Sequence, residues 1–240
     1  MVHADETGWR IDGKNVWAWC FSNPRLALFL IDRHRSAEVV KRALGDSIPG
    51  VLVTDFYAAY SQIDCRKQKC LVHLLRDLYE LRDELTRHHV KKYVEPLIAL
   101  FQDAIGLSKK RETMSQRKYQ AACRRIDERL EEIIWQKPKQ PDCRRINHRL
   151  VRHRFELLTF LEEADVPADN NLAERDIRSV VAVRGDGDGN RSDWGADAFA
   201  ILKSVIGTCR KNGENLLEYG LSVVRARQNG FALPLPLDSG

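Results

Sequence analysis

VHADETGWRIDGKNVWAWCFSNPRLALFLI, residues 2–31, decides the fold class of this 240-residue chain. VHADETGWRI alternates, DGKN (Asp12 to Asn15) is turn chemistry, VWAWCF alternates with aromatic residues, SNPR is a second turn, and LALFLI is a short apolar run. The pattern predicts a three-stranded antiparallel meander. Its odd member is Asp5, a carboxylate in mid-strand, which is costly beside a core unless something pairs with it. Glu6 is expected on the opposite face. Trp9, Trp17 and Trp19 alternate along the strands and are expected in the core.

Downstream, Ser36 reads as an N-cap ahead of AEVVKRAL, in which Val39, Val40, Ala43 and Leu44 form one apolar stripe, and Gly45 ends the helix. In VLVTDFYAAY, Val51, Leu52 and Val53 read as a strand buried on both faces and halted at Asp55. A helix between two strands implies a crossover that returns in parallel to the same sheet. The fourth strand is therefore expected beside the first, with Asp5 and Asp55 as neighbours, and a short strand is expected at KQKCLVH. The sheet is mixed: three antiparallel strands, a crossover helix, then a parallel strand.

From Leu74 to Glu163 long amphipathic helical patterns replace the strand signals, punctuated by Pro138 and Pro141. The expected organisation is a core in two parts, 1–84 and 165–240, interrupted by a helical insertion, 85–164. In VPADNNLAERDIRSVVAV, Asp169 or Asn170 can cap a helix with Ala173, Ile177 and Val180 on its apolar face. Glu174 stands at the rim of that stripe, where it can reach over the sheet. A glycine-rich loop, RGDGDGNRSDWG, then leads to two final helices separated at Gly213.

The net charge is only +5, but Lys109 to Arg154 holds 15 Lys and Arg against 6 Asp and Glu. Such a basic block is the footprint of a polyanion-binding surface, with Arg124, Arg125, Arg144 and Arg145 as candidate DNA contacts. There is no long apolar run and no secretion signal, which excludes a helical membrane span and points to the cytoplasm. The six cysteines lack a CxxC pair and suit reduced thiols. Cys65, Cys70 and His73, with His88 or His89 as a fourth ligand, have a zinc-like spacing, but buried thiols are the simpler reading. Asp186, Asp188, Asn190 and Asp197 mimic a calcium loop, yet Arg191 stands where glycine is required.

Two close carboxylates repel unless a cation lies between them, and Mg²⁺ takes hard oxygen ligands together with phosphate oxygens. Asp5, Asp55 and Glu174 could thus hold two metal ions for in-line attack on phosphorus. ADETGWRIDG with VWAWCF, GVLVTDFYAAY, KCLVHLLRDL, NNLAERDIR and NRSDWGADAFAILKSVIGTCRKNGENLLEY resemble, in order and spacing, the motifs of insertion sequence 66 family transposases. The likeness covers nearly the whole chain and is weakest in the helical insertion.

The resemblance implies a DDE-type enzyme with a ribonuclease H-like core, with Asp5, Asp55 and Glu174 as catalytic and metal-binding residues. It further implies Mg²⁺ (or Mn²⁺), as two ions, and cutting of double-stranded DNA followed by strand transfer from the freed 3′-hydroxyl. Transposon ends and target DNA are the implied partners, with a homo-oligomer on DNA and work at the bacterial nucleoid. His73, Arg175, Arg178 and Arg191 are further candidate DNA contacts. Met1 stands four residues before Asp5, so the region that recognises element ends in the family is expected to be lacking. Asp186, Asp188 and Asp193 bring negative charge to a loop that is basic in relatives. Two other readings stay open: a different ribonuclease H-like nuclease, and a non-catalytic DNA-binding remnant.

Overall fold

The computed structural model describes residues 1–187, 189–234 and 236. Five strands, β1 (Val2–Ile11), β2 (Lys14–Ser22), β3 (Ala27–Asp32), β4 (Ser47–Thr54) and β5 (Asp64–Lys69), form one sheet in the order β3-β2-β1-β4-β5. The helices are α1 (Ala37–Leu44), α2 (Leu71–Glu84), α3 (Arg87–His89), α4 (Glu95–Ser108), α5 (Gln116–Trp135), α6 (Pro141–Arg152), α7 (Thr159–Glu162), α8 (Asn171–Gly187), α9 (Asp193–Asn212) and α10 (Leu216–Gln228). The sheet is mixed, mostly antiparallel, and agrees with a ribonuclease H-like α/β fold carrying a helical insertion. The chain forms two compact units: a helical unit of Met1, Gly50–Phe56 and Cys65–Asn170, and a sheet unit of Val2–Pro49, Tyr57–Asp64 and Asn171–Gly240.

In the sheet unit the predicted meander is present. Ile11 pairs with Lys14 across Asp12 and Gly13, both at positive φ (51° and 72°), the backbone a two-residue type I′ hairpin requires. At the second turn Asn23 Oδ1 accepts from the N–H groups of Arg25 (2.8 Å) and Leu26 (2.7 Å). Alternation then sorts the side chains. Trp9, Ile11, Val16, Ala18, Cys20, Ala27 and Phe29 meet Ile177 and Val180 of α8 and Ala196 and Ala200 of α9 in one core. Trp9 also stacks on Phe199, with ring centroids 4.9 Å apart. Trp9 and Trp19 are buried as expected; Trp17 is half-buried, with the Arg35 guanidinium 4.5 Å above its ring.

Helix α8 runs to Gly187, so the predicted glycine-rich loop begins as helix. Its last turn is held by Arg184, whose Nη1 donates to Gly8 O at 2.7 Å. The connection to α9 is then pinned to the end of β1. Asn190 N donates to Arg10 O (2.9 Å), Asp12 N donates to Asn190 O (2.8 Å), and Trp9 Nε1 donates to Asn190 Oδ1 (2.8 Å). Only glycine fits at 189, where φ is 93° and a Cβ would stand 2.3 Å from Arg10 O.

In the helical unit the expected strand at KQKCLVH is present over residues 67–69 as the end of β5, and its second half is corrected to helix. β5 ends at Lys69, and Leu71 opens α2. Leu71, Leu74, Leu78 and Leu81 recur at helical spacing and are all buried, which outweighs the short β-like run before them. Their partners include Leu97, Leu100, Phe101 and Ala104 of α4, Leu130 of α5, and Ile146 and Leu150 of α6. Burying these stripes turns the charged faces of α5 and α6 outward.

Candidate active site

Asp5 lies opposite Cys20 in the β1–β2 register, so alternation places it on the face that α8 and α9 cover. Its Oδ1 accepts from Glu6 N at 2.9 Å. Burial pushes the Cys20 thiol well above its ordinary range, and the charges of Asp176 and Asp5 push it further, against the opposing pull of Lys211. Asp176 itself is engaged: Ser22 Oγ donates to its Oδ2 (2.5 Å), and Lys211 Nζ lies 2.8 Å away.

Glu174 occupies the first turn of α8, the helix that packs on β1 and β2. Ala173, Ile177 and Val180 form the buried stripe, and Glu174, one residue on from Ala173, is half-buried at its rim. The sheet unit therefore contains both Asp5 and Glu174, one on the sheet and one on the helix that covers that face. Glu6 points the other way, as alternation requires. Its side chain is 1 % exposed, accepting from Arg35 Nη2 (2.6 Å) and from the Tyr60 hydroxyl.

Asp55 belongs to the helical unit and is the first residue after β4. The strand end is fixed by Lys69, fully buried, whose Nζ donates to Thr54 Oγ1 (3.0 Å) and to Asp55 O (2.9 Å). Burial holds the Lys69 pKa down, opposed by the charges of Glu156 and Asp55. Glu156 in turn meets His153 Nδ1 at 2.6 Å. A lysine in DCRKQK reads as solvated, so nothing in the sequence singles it out as an internal cation.

His73 is the third residue of α2 and half-buried. Arg178 and Arg191 are exposed, and Arg175 lines a groove between α8 and α9. Arg124, Arg125 and Arg144 are exposed on α5 and α6, while Arg145 pairs with Asp142 at 3.5 Å. Of the zinc-like set, Cys70 and His73 bring ligand atoms within 4.8 Å of each other, whereas among the described residues Cys65, His88 and His89 enter no group of three or more metal-ligating side chains. The calcium-loop reading falls on Asp186 and Asp188, whose side chains lie outside the described residues. Asp197 lies inside α9 and the Asn190 side chain is engaged by Trp9 and Gly195. Asp193 is drawn into an ion pair with Arg33 at 2.7 Å.

Among the described residues no helix is long and apolar enough to cross a membrane. A protein of Sinorhizobium fredii (strain NBRC 101917 / NGR234) named "Uncharacterized protein y4jO" is 37 % identical over 71 residues, which is 30 % of this chain and 22 % of that protein. The chain thus matches about a fifth of the length of this relative. No solved structure matches. Residues 1–198, spanning Asp5, Asp55 and Glu174, match the transposase IS66 family. Over more than four-fifths of its length, then, the chain carries that family's pattern, and it belongs to the transposase IS66 family.

Proposed function

We propose that this chain is the catalytic core of a DNA transposase in which Asp5, Asp55 and Glu174 hold divalent metal, Mg²⁺ or Mn²⁺ and two ions, against DNA. The observation that carries the proposal is local to the sheet unit. Asp5 faces the layer whose helix α8 bears Glu174. Hard carboxylate oxygens fit a hard divalent cation. The donor set therefore suits the ion that family membership implies.

When bound, such ions lower the pKa of an attacking water or 3′-hydroxyl and stabilise the leaving oxygen. In the first step water oxygen attacks phosphorus as the P–O3′ bond breaks, leaving a 3′-hydroxyl and a 5′-phosphate. In the second, that hydroxyl attacks a target phosphodiester, forming one P–O bond as another breaks. The chain's own carboxylates orient the site. The helical stretch 85–164, between core parts 1–84 and 165–240, holds backbone through Arg124, Arg125, Arg144 and Arg145. His73, Arg175, Arg178 and Arg191 approach phosphates nearer the reacting strand. Double-stranded transposon ends and target are the substrates, met by a homo-oligomer in the cytoplasm at the nucleoid.

Glu174→Gln tests this reading, with nicking of supercoiled plasmid in Mg²⁺ as the readout. Cleavage should fall by about a thousandfold, the equivalent of several kcal/mol of transition-state stabilisation, while DNA affinity stays within about threefold. Cleavage at the original rate would remove Glu174 from the site. A wild-type chain that binds DNA but never nicks it would favour the non-catalytic remnant.

A further inference from the structure

A groove of about 320 Å³ opens between α8 and α9 within the sheet unit. Its floor is Ala27 and Phe29 of β3, and Gly207 brings α9 down onto it: a Cβ there would stand 2.9 Å from the Ala27 Cβ. Lys203, Arg210 and Lys211 line it from α9, at seven- and eight-residue spacing that puts them on one helix face. Arg175 and Asp176 line it from α8.

Four cations and one carboxylate thus line the groove. Asp176 is taken by Lys211, at 2.8 Å, and by the Ser22 hydroxyl. The side chain of Lys211 is only 11 % exposed and that of Asp176 20 %, so this pair is fixed in the wall. Among the described residues Arg175, Lys203 and Arg210 form no ion pair. Lys203 donates to Ser179 O at 3.1 Å and lies 5.7 Å from the Phe199 ring centroid, contacts that hold its position without cancelling its charge. Partial burial lowers the Lys203 pKa, and the charge of Arg210 lowers it further, as expected where like charges gather without a counterion.

We infer that this groove is a phosphate-binding site that seats a backbone phosphodiester of the bound DNA strand, with Lys203, Arg210 and Arg175 as its ligands. The assignment rests on the DNA reading above and deepens it. Guanidinium forks match phosphate oxygens in pairs, and the ammonium adds a point charge. Arg175 follows Glu174 in the chain, so the groove and the proposed metal ligand share helix α8.

The test is fluorescence anisotropy of a labelled duplex on the full chain, with potassium chloride varied and folding checked by circular dichroism. Lys203→Gln with Arg210→Gln should weaken binding at low salt by about tenfold and flatten the salt dependence by about 0.9 for each phosphate no longer neutralised. Arg210→Gln alone, at an exposed position, should flatten it by about 0.9, and Lys203→Arg with Arg210→Lys should keep most of the slope. An unchanged slope in the double Gln variant, beside a reduced one when Arg124, Arg125, Arg144 and Arg145 are neutralised, would overturn the groove and leave the DNA reading intact. Inorganic phosphate binding that saturating duplex does not displace would make the groove a small-anion site and also overturn it. A wild-type chain without DNA affinity at any salt would sink the DNA reading and this assignment with it.

Discussion

The two faces of β1 treat adjacent carboxylates differently. On the α1 side Glu6 is enclosed by the protein's own groups: Arg35, which also lies 4.5 Å over Trp17 and 4.0 Å over Tyr57, and the Tyr60 hydroxyl. On the α8 side Asp5 shares the face with Asp176, whose carboxylate Lys211 holds at 2.8 Å, and α8 adds Glu174 to the layer above. Each face supplies a cation of its own, Arg35 for Glu6 and Lys211 for Asp176, and the α8 face carries Asp5 and Glu174 besides. Burying charge is costly either way. The first arrangement serves stability; the second is where the proposed metal site takes two of its three carboxylates.

Breaking that contrast begins with activity. Asp5→Asn should reduce Mg²⁺-dependent nicking by about a thousandfold while moving the melting temperature by less than about 4 °C. Glu6→Gln should do the reverse. It leaves Arg35, whose side chain is 37 % exposed, facing a neutral amide, and the loss of this charge-assisted hydrogen bond is expected to cost about 2 kcal/mol, read as a lower urea midpoint at unchanged slope. Were Asp5→Asn the more destabilising of the two, the division into a structural and a functional face would be wrong.

How much of this was legible in the sequence follows from which forces act locally. The meander was, because hairpin turns and alternation are properties of neighbouring residues: Asp12 and Gly13 take the positive φ angles their residue types favour. The separation of Asp5 from Glu6 followed from strand period alone. The end of β5 was misread because KQKCLVH carries strand and helix signals at once, and only the buried leucines of α2 decide between them. Helix α8 outran its pattern because Arg184 reaches back to Gly8, a contact between residues 176 apart. The same limit hid Lys69, whose setting depends on Glu156, and the α8–α9 groove. Lys203 and Arg210 announce a shared helix face by their spacing, but not that Arg175 and Gly207 would complete a pocket with them.

The smallest expected effect sharpens the contrast from the α1 face. Asp32 ends β3 opposite Trp17, its side chain 14 % exposed, accepting from Arg42 Nη2 (2.6 Å) and from His34 N (2.8 Å). Burial alone would raise its pKa, but the His34 backbone bond and the Arg42 contact outweigh it and the net shift is downward. A carboxyl depressed on folding contributes stability that is complete above its unfolded-state pKa, about 3.9, and is lost as pH falls through the lower folded value. Asp32→Asn should therefore cost about 1 kcal/mol near neutrality, because Arg42 is 60 % exposed and its pairing partly screened. That difference should shrink as pH drops below about 4 and close once Asp32 is protonated in both states. Urea midpoints of the two proteins that stay equally far apart from neutrality down to about pH 2 would show that Asp32 is held by shape rather than charge, and the α1 face would lose its second self-neutralised acid.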